Sequence, residues 1–495
     1  MLARSGQVRH TCTASIEYPF AVARVRAGHA QHRPASEVTH GIAREKKLTV
    51  AGLAAVAYFT CSGGPFGLEP LIAAVGPGYA VLLILVSPVL WSMPLALMSV
   101  ELTTMMPDEG GYYVWVSRAM GRCWGVQEAW WSLWNTIALM ALFVVLFVTY
   151  LGFFIPSLAA PTTMAAVLRW LVAAGVEITG TWVNLRGAKE VGRSALIGAT
   201  LVAGTFIVFG ALGLVQHGDT SIQAIRTSIN GVKPSALLIG LSILVFNFSG
   251  WDNVSTFAAE VDDPQRTYPR ALALSMIIVC LAYLLPVLAG LGMVSDRSYW
   301  TADAGWPAIG RFVGGPLLGA LFAALGMVSM WSMYVNQLLY ASRLPLVLAA
   351  DGFLPAPLAR VTTATAVPTN SVLVIAGIVI LLVGFSFDNL AVLSGILYTS
   401  ALTLEFISLV VLRIREPASP RPFRAPGGTL GLVLVCIGPV LMAAGVLAGI
   451  VLAGSDFWMP LALVASIVTT GVLVYVARRP RPRDPPRGAA GAASA

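Results

Sequence analysis

From Leu48 almost to the C-terminus the chain is a succession of apolar runs of about 20 residues, each long enough to cross a hydrocarbon layer of roughly 30 Å, separated by short polar gaps. Inside lipid every backbone amide and carbonyl must find a partner within the protein, which restricts such runs to helices. The composition agrees: 57% of the residues are hydrophobic and 11% charged, less than half of the roughly 25% charged in soluble chains. The expected fold is an all-α polytopic membrane protein.

Twelve transmembrane helices can be read along the sequence. The first five are about Leu48 to Val75, Tyr79 to Glu101, Trp124 to Phe153, Met164 to Trp182 and Val191 to Val215. The sixth is Ser235 to Glu260, followed by Ala271 to Met293, Gly315 to Leu339, Thr369 to Phe385 and Leu390 to Leu412, then Leu430 to Ala453 and Trp458 to Val476. Residues 1–43 hold no apolar run long enough for a signal peptide and read as a disordered cytoplasmic tail. Residues 478–495, alternating Pro and Arg, read as a second disordered tail suited to anionic lipid.

The net charge of +8 does not point to nucleic acid, because the basic residues form short clusters between apolar runs. They act instead as topology signals. Arg44, Lys46, Lys47, Arg118, Arg122, Arg186, Arg193, Arg343, Arg413, Arg421 and Arg478 fall on one side, against Arg226, Lys233, Arg297 and Arg311 on the other. The bias places both termini in the cytoplasm of a multi-pass protein of the plasma (cell inner) membrane. Cys12, Cys61, Cys123, Cys280 and Cys436 are widely spaced, without CxxC pairs or neighbouring histidines, so neither a disulfide framework, a metal site nor a cofactor is expected. The spans hold no histidine, which argues against a membrane enzyme.

Two spans are interrupted. The first carries Cys61-Ser62-Gly63-Gly64-Pro65-Phe66-Gly67-Leu68-Glu69, and the sixth carries Phe248-Ser249-Gly250-Trp251-Asp252-Asn253. Glycines also serve plain helix packing in membranes, but a proline and three glycines within six residues exceed what packing needs. A five-span period is odd, so the second copy would be inverted, with the two breaks meeting near the midplane in a 5+5 inverted repeat. Amides around Gly63, Gly64 and Gly67 at the restart of the first helix suit a carboxylate, and carbonyls around Val245, Phe246 and Asn247 suit an ammonium. Together they form a two-pole clamp for a zwitterion, with Trp251 placed to cover it by a cation–π contact.

Ionisable residues at membrane depth are functional candidates. Glu69 and Asp252 lie at the breaks, as coupling groups or as caps of the helix fragments. Glu101 and Glu260 sit near helix ends and suit interfacial capping or ion pairs with loop arginines, whereas Glu128, followed by Trp130 and Trp131, reads as part of an interfacial belt. Glu177 and Glu405 lie deeper, without an evident partner in the sequence.

The stretch Tyr58 to Glu69 resembles the first-helix signature of the amino acid, polyamine and organocation superfamily, especially its branch of L-type amino acid and polyamine transporters. Trp251 to Val261 with Pro264 and Pro269-Arg270-Ala271-Leu272 is similar to the sixth-helix motif of that branch. Pro107 to Val116, Ser342-Arg343 with Asp351 to Pro355, and Arg421 to Gly428 are similar to loop motifs of the superfamily. The resemblance implies a LeuT-like core over residues 44–425, two additional helices over 426–477, and alternating access around the broken helices. It also implies substrate recognition by Ser62, Gly63, Gly64, Pro65 and Gly67 with Phe246, Asn247, Phe248, Gly250, Trp251 and Asp252, completed by Asn135 and Leu139 from the third helix and by Trp331 and Tyr334 from the eighth.

Polyamine members carry acidic residues in the third and eighth helices, and the matching stretches here, Asn135 to Met140 and Ser329 to Val335, have none. That favours a permease for a neutral or apolar amino acid, the alternatives being a polyamine or cationic amino acid transporter and a non-transporting nutrient receptor. Proton coupling through Glu69 or Asp252, sodium coupling through Ser329 and Ser332, and exchange all stay open.

Overall fold

The computed structural model describes residues 47–228, 231–301, 305–363, 365–384, 387–452 and 458–477, so the tails expected at 1–43 and 478–495 lie outside the described residues. Among the described residues, eight helical stretches are long and apolar enough to cross a membrane. Four shorter apolar helices, Val50–Cys61, Pro234–Asn247, Thr369–Leu382 and Leu461–Ala477, accompany them.

The first span is split. Helix α1 (Val50–Cys61) is capped by Thr49, whose hydroxyl accepts from the Gly52 N–H, and the chain restarts only as the seven-residue α2 (Glu69–Val75). At 1.5 Å per residue α1 is about 18 Å long, well short of the hydrocarbon layer. Next come α3 (Pro77–Met105), which contains a π-turn at Pro88–Ser92, the amphipathic α4 (Tyr112–Met120), α5 (Arg122–Leu151), α6 (Thr163–Leu185) and α7 (Ala188–Thr227). The sixth span begins as α8 (Pro234–Asn247), and past its break it continues as 3-10 turns at Asn253–Thr256 and Ala258–Glu260 instead of a regular helix. There follow α9 (Pro264–Met293), α10 (Gly305–Ala341), kinked at Gly314 and Gly315, α11 (Arg343–Ala350), α12 (Thr369–Leu382), α13 (Phe387–Arg415), α14 (Gly428–Leu452) and α15 (Trp458–Ala477).

Helix α1 packs against α7 and α9, while α5 packs along both α10 and α13. At the arginine-rich helix ends the two interrupted spans are tied together by backbone bonds: the Leu48 N–H donates to the Glu260 carbonyl and the Asp262 N–H to the Leu48 carbonyl, both at 3.0 Å. The loop before α4 joins them, with the Gly110 N–H donating to the Thr256 carbonyl at 2.8 Å.

Two buried ion-pair nodes fix these ends, as the positions of Glu101 and Glu260 led one to expect. Arg413 donates from Nε and Nη2 to Glu101 at 2.8 and 2.5 Å, Arg421 Nε lies 3.4 Å from the same carboxylate, and the Ala425 N–H donates to it at 2.8 Å. Arg343 is wholly buried, donating to Glu260 at 2.8 and 2.5 Å, with Glu109 at 3.6 Å.

Candidate functional site

The two breaks are in contact. A Cβ at Gly250, whose φ is +104°, would lie 2.6 Å from the Thr60 carbonyl oxygen, and the Asn247 amide donates to the Gly67 carbonyl at 3.3 Å. Gly64 has φ +84°, a region costly for any other L-residue, and a Cβ there would lie 2.8 Å from the Val202 side chain.

The backbone groups at the breaks are largely satisfied by the protein itself. The Gly64 N–H donates to the Ser62 hydroxyl at 3.1 Å, and the Gly67 N–H donates to Glu69 Oε2 at 2.7 Å. Ser329 donates to the Gly63 carbonyl at 2.5 Å and the Trp306 indole to the Pro65 carbonyl at 2.9 Å. In the sixth span Ser249 donates to the Val245 carbonyl, Tyr283 to the Asn247 carbonyl at 2.6 Å, and Ser92 to the Phe248 carbonyl at 3.3 Å. Of the amides expected to hold a carboxylate, that of Gly67 is taken by Glu69 and that of Gly64 by Ser62, and of the carbonyls expected to hold an ammonium, those of Val245 and Asn247 are taken by hydroxyls.

Several residues read from the sequence face elsewhere. Phe246 is 41% exposed on the outer surface of α8. Trp251 is fully buried and spends its indole N–H on the Phe248 carbonyl at 2.9 Å, which packs it against the break. Trp331 donates to Thr179 at 3.0 Å and the Tyr334 hydroxyl lies 3.3 Å from that of Thr181, which turns both toward α6. The reason is helical phase: Ser329 and Met333, four residues apart, form the face of α10 that meets Gly63, and Trp331 lies across the helix from it. Leu139 is half-buried on α5.

The charged residues are where the sequence was hardest to read. Asp252 at the second break accepts from the Tyr398 hydroxyl at 2.7 Å, and that hydroxyl in turn accepts from the Gly250 N–H at 2.8 Å. Glu128 is wholly buried instead of interfacial, with one oxygen held by Ser132 at 2.8 Å and the other without a hydrogen-bond partner among the described residues. Glu405 is also wholly buried, and among the described residues neither of its oxygens has a hydrogen-bond partner. Glu405 lies within electrostatic reach of both Asp252 and Glu128, and Tyr112, whose hydroxyl donates to Asn253 Oδ1 at 3.4 Å, lies within reach of all three carboxylates.

Spacing explains how they converge. On α5, Glu128, Ser132, Asn135 and Leu139 form one stripe at steps of four, three and four; on α13, Ser394, Tyr398 and Glu405 form another. The stripes face each other, since Ser394 donates to Asn135 Oδ1 at 2.6 Å. Among the described residues the three carboxylates have no arginine or lysine partner, and they do not gather as a metal site. A buried uncompensated carboxylate is costly, so the arrangement suits an extended organic cation with several separated charges.

Comparison with known proteins gives the family. Residues 48–473 match the amino acid permease family. The chain is 34% identical over 441 residues to polyamine transporter RMV1 of Arabidopsis thaliana, covering 89% of this chain and 87% of that one. It is also 34% identical to polyamine transporter PUT1 of Oryza sativa subsp. japonica, covering 79% and 72%, and 27% identical to an uncharacterized transporter of Legionella pneumophila, covering 72% and 80%. The chain belongs to the amino acid permease family of the amino acid, polyamine and organocation superfamily.

Proposed function

We propose that this protein is a secondary transporter of polyamines, working by alternating access, and that Asp252, Glu128 and Glu405 receive the ammonium groups. The observation that carries the reading is the burial of these three carboxylates without a basic partner among the described residues. It is supported by the likeness to plant proteins named polyamine transporters, which favours the alternative substrate over the neutral amino acid expected from Asn135 to Met140 and Ser329 to Val335. A cationic amino acid fits less well, because its carboxylate would compete with Ser62 and Glu69 for the break amides. In the same reading the four shorter helices bring the spans to twelve in a 5+5 inverted repeat, and the arginine-rich ends and both termini face the cytoplasm.

Uptake of labelled spermidine into proteoliposomes, in competition with unlabelled spermidine, arginine, leucine and glutamate, tests it. Spermidine should compete best; leucine competing best would restore the neutral amino acid reading. Binding without counterflow would make the protein a receptor.

A further inference from the structure

We infer that one acyl chain of a bilayer phospholipid is a resident ligand of the crevice between α3, α13 and α14, and that it braces the second break from behind through Trp91.

The crevice encloses about 250 Å³. Its α13 wall is a stripe at helical spacing, Thr399, Leu402, Phe406 and Val410, and its α14 wall is Cys436, Pro439 and Ala443. Helix α14 touches α3 where Gly438 meets the Leu90 carbonyl, with no room for a side chain. Beside that contact the short side chains of the α14 wall leave the space unfilled. Trp91, 1% exposed, closes the inner end, whereas Ile407 and Val440, 41% and 59% exposed, stand where the crevice opens to the membrane.

The lining selects the occupant. The Thr399 and Thr403 hydroxyls donate to the Gly395 and Thr399 carbonyls of their own helix at 2.7 and 2.8 Å, and the Trp91 indole donates to the Ser249 hydroxyl at 3.1 Å. The Cys436 sulfur is only a weakly polar group. Water would find too few partners there, and an empty crevice would forfeit the dispersion contacts of its walls. The apolar matter at hand in a bilayer is an acyl chain. A dry protein cavity of roughly 150 Å³ takes up benzene, so about 250 Å³ holds on the order of ten carbon atoms, a stretch of acyl chain and less than a sterol.

The occupant also reaches the second break. Trp91 lies in the π-turn Pro88–Ser92, a distortion frequent at functional sites. Its indole holds Ser249, and the next residue, Ser92, donates to the Phe248 carbonyl at 3.3 Å. Thr399 follows Tyr398, whose hydroxyl joins Asp252 to the Gly250 N–H. A chain in the crevice keeps Trp91 against the break; its withdrawal leaves the indole space to swing away from Ser249.

The test reconstitutes the purified full-length protein in phosphatidylcholine vesicles whose chains are brominated near their midpoints, and reads tryptophan quenching. A quenched component present in the wild type and missing from Trp91→Phe is expected; equal quenching of the two overturns the inference. Ala443→Phe and Cys436→Phe, each checked by gel filtration, fill the crevice and should lose at least half of that component, while Val433→Phe, on the lipid face of α14 outside the crevice, should keep it. Full quenching in both filling variants would place the chain elsewhere, and crosslinked dimers through Cys436 in place of quenching would make a second copy the occupant; either defeats the proposal. Labelled spermidine uptake by the wild type should be several-fold slower in vesicles of methyl-branched chains than of straight ones, with the filled variants indifferent. Equal dependence in all would refute the bracing role. Quenching needs no substrate, so its failure is distinct from failure of the polyamine reading.

Discussion

Glu69 Oε1 accepts the backbone N–H of Trp306 at 3.1 Å, joining the restart of the first helix to the beginning of α10, 237 residues later. Its other oxygen takes the Gly67 N–H at 2.7 Å, and the Trp306 indole returns a bond to the Pro65 carbonyl at 2.9 Å. Trp306 also meets Phe206 edge-on, at a centroid distance of 5.2 Å. The start of α10 is therefore clasped over the first break by one carboxylate and one indole.

Replacing Glu69 with Gln should weaken this clasp. One amide oxygen can still serve Trp306, but the NH2 group then confronts the Gly67 N–H, donor against donor. Hydrogen bonds to charged groups contribute about 1.5–3 kcal/mol. A lowered melting temperature together with faster labelling of a cysteine placed near Pro65 is expected; unchanged labelling would show that Glu69 does not hold the clasp.

Gly64→Leu should abolish substrate binding while leaving the protein in the membrane. The positive φ alone costs about 1–2 kcal/mol in a non-glycine residue, and the new side chain meets Val202. Spermidine uptake at wild-type rates by a variant that elutes normally on gel filtration would contradict the role given to the break.

Breaking the Glu101 node should be severe. Glu101→Gln leaves the Arg413 and Arg421 guanidiniums facing a neutral amide in a buried setting, and loss of one partner of such a pair costs about 3–5 kcal/mol. Arg413→Lys should not substitute, since an ammonium lacks the planar fork that reaches both Glu101 oxygens. Thermal unfolding of the two variants checks both statements, and a wild-type melting temperature in either would refute the corresponding one.

The loop residue Glu109 gives a pH signature. Burial, and then the neighbouring Glu260 carboxylate, push its carboxyl well above the ordinary value of 4.5, with Arg343 opposing in part. The folded protein thus binds this proton more tightly than the unfolded chain, so the contribution of Glu109 to stability declines as pH rises above 4.5 toward the raised value. Glu109→Gln, a permanent mimic of the protonated group, should gain progressively on the wild type in melting temperature as pH rises above 4.5. Parallel curves for the two proteins would mean that Glu109 is ionised throughout.

The membrane class and the interruption of the first and sixth spans were legible in the sequence, as was ion pairing as one of two roles open to Glu101 and Glu260; which arginines they meet was not. Apolar run length, glycine with proline, and the position of a carboxylate near a helix end are local properties. Glu128 could have been found the same way, since it lies seven residues before Asn135 on one helical stripe, but its neighbours Trp130 and Trp131 suggested an interface. Glu405 offered no comparable local signal, because its significance depends on α13 packing along α5. Trp331 and Tyr334 were chosen for their aromatic character, and helical phase assigned the facing role to Ser329 and Met333 instead.

The sequence by itself determined that this chain crosses membranes as helices and that two of them must be broken, because lipid leaves the backbone no other partners. Only the tertiary structure decided what lies at the breaks. Charge is a long-range property of the folded interior: three carboxylates separated by up to 277 positions come within electrostatic reach of one another, without a basic partner among the described residues, when α5, the second break and α13 meet. Of the break amides that looked open in the sequence, those of Gly64 and Gly67 are answered by Ser62 and Glu69 in the fold.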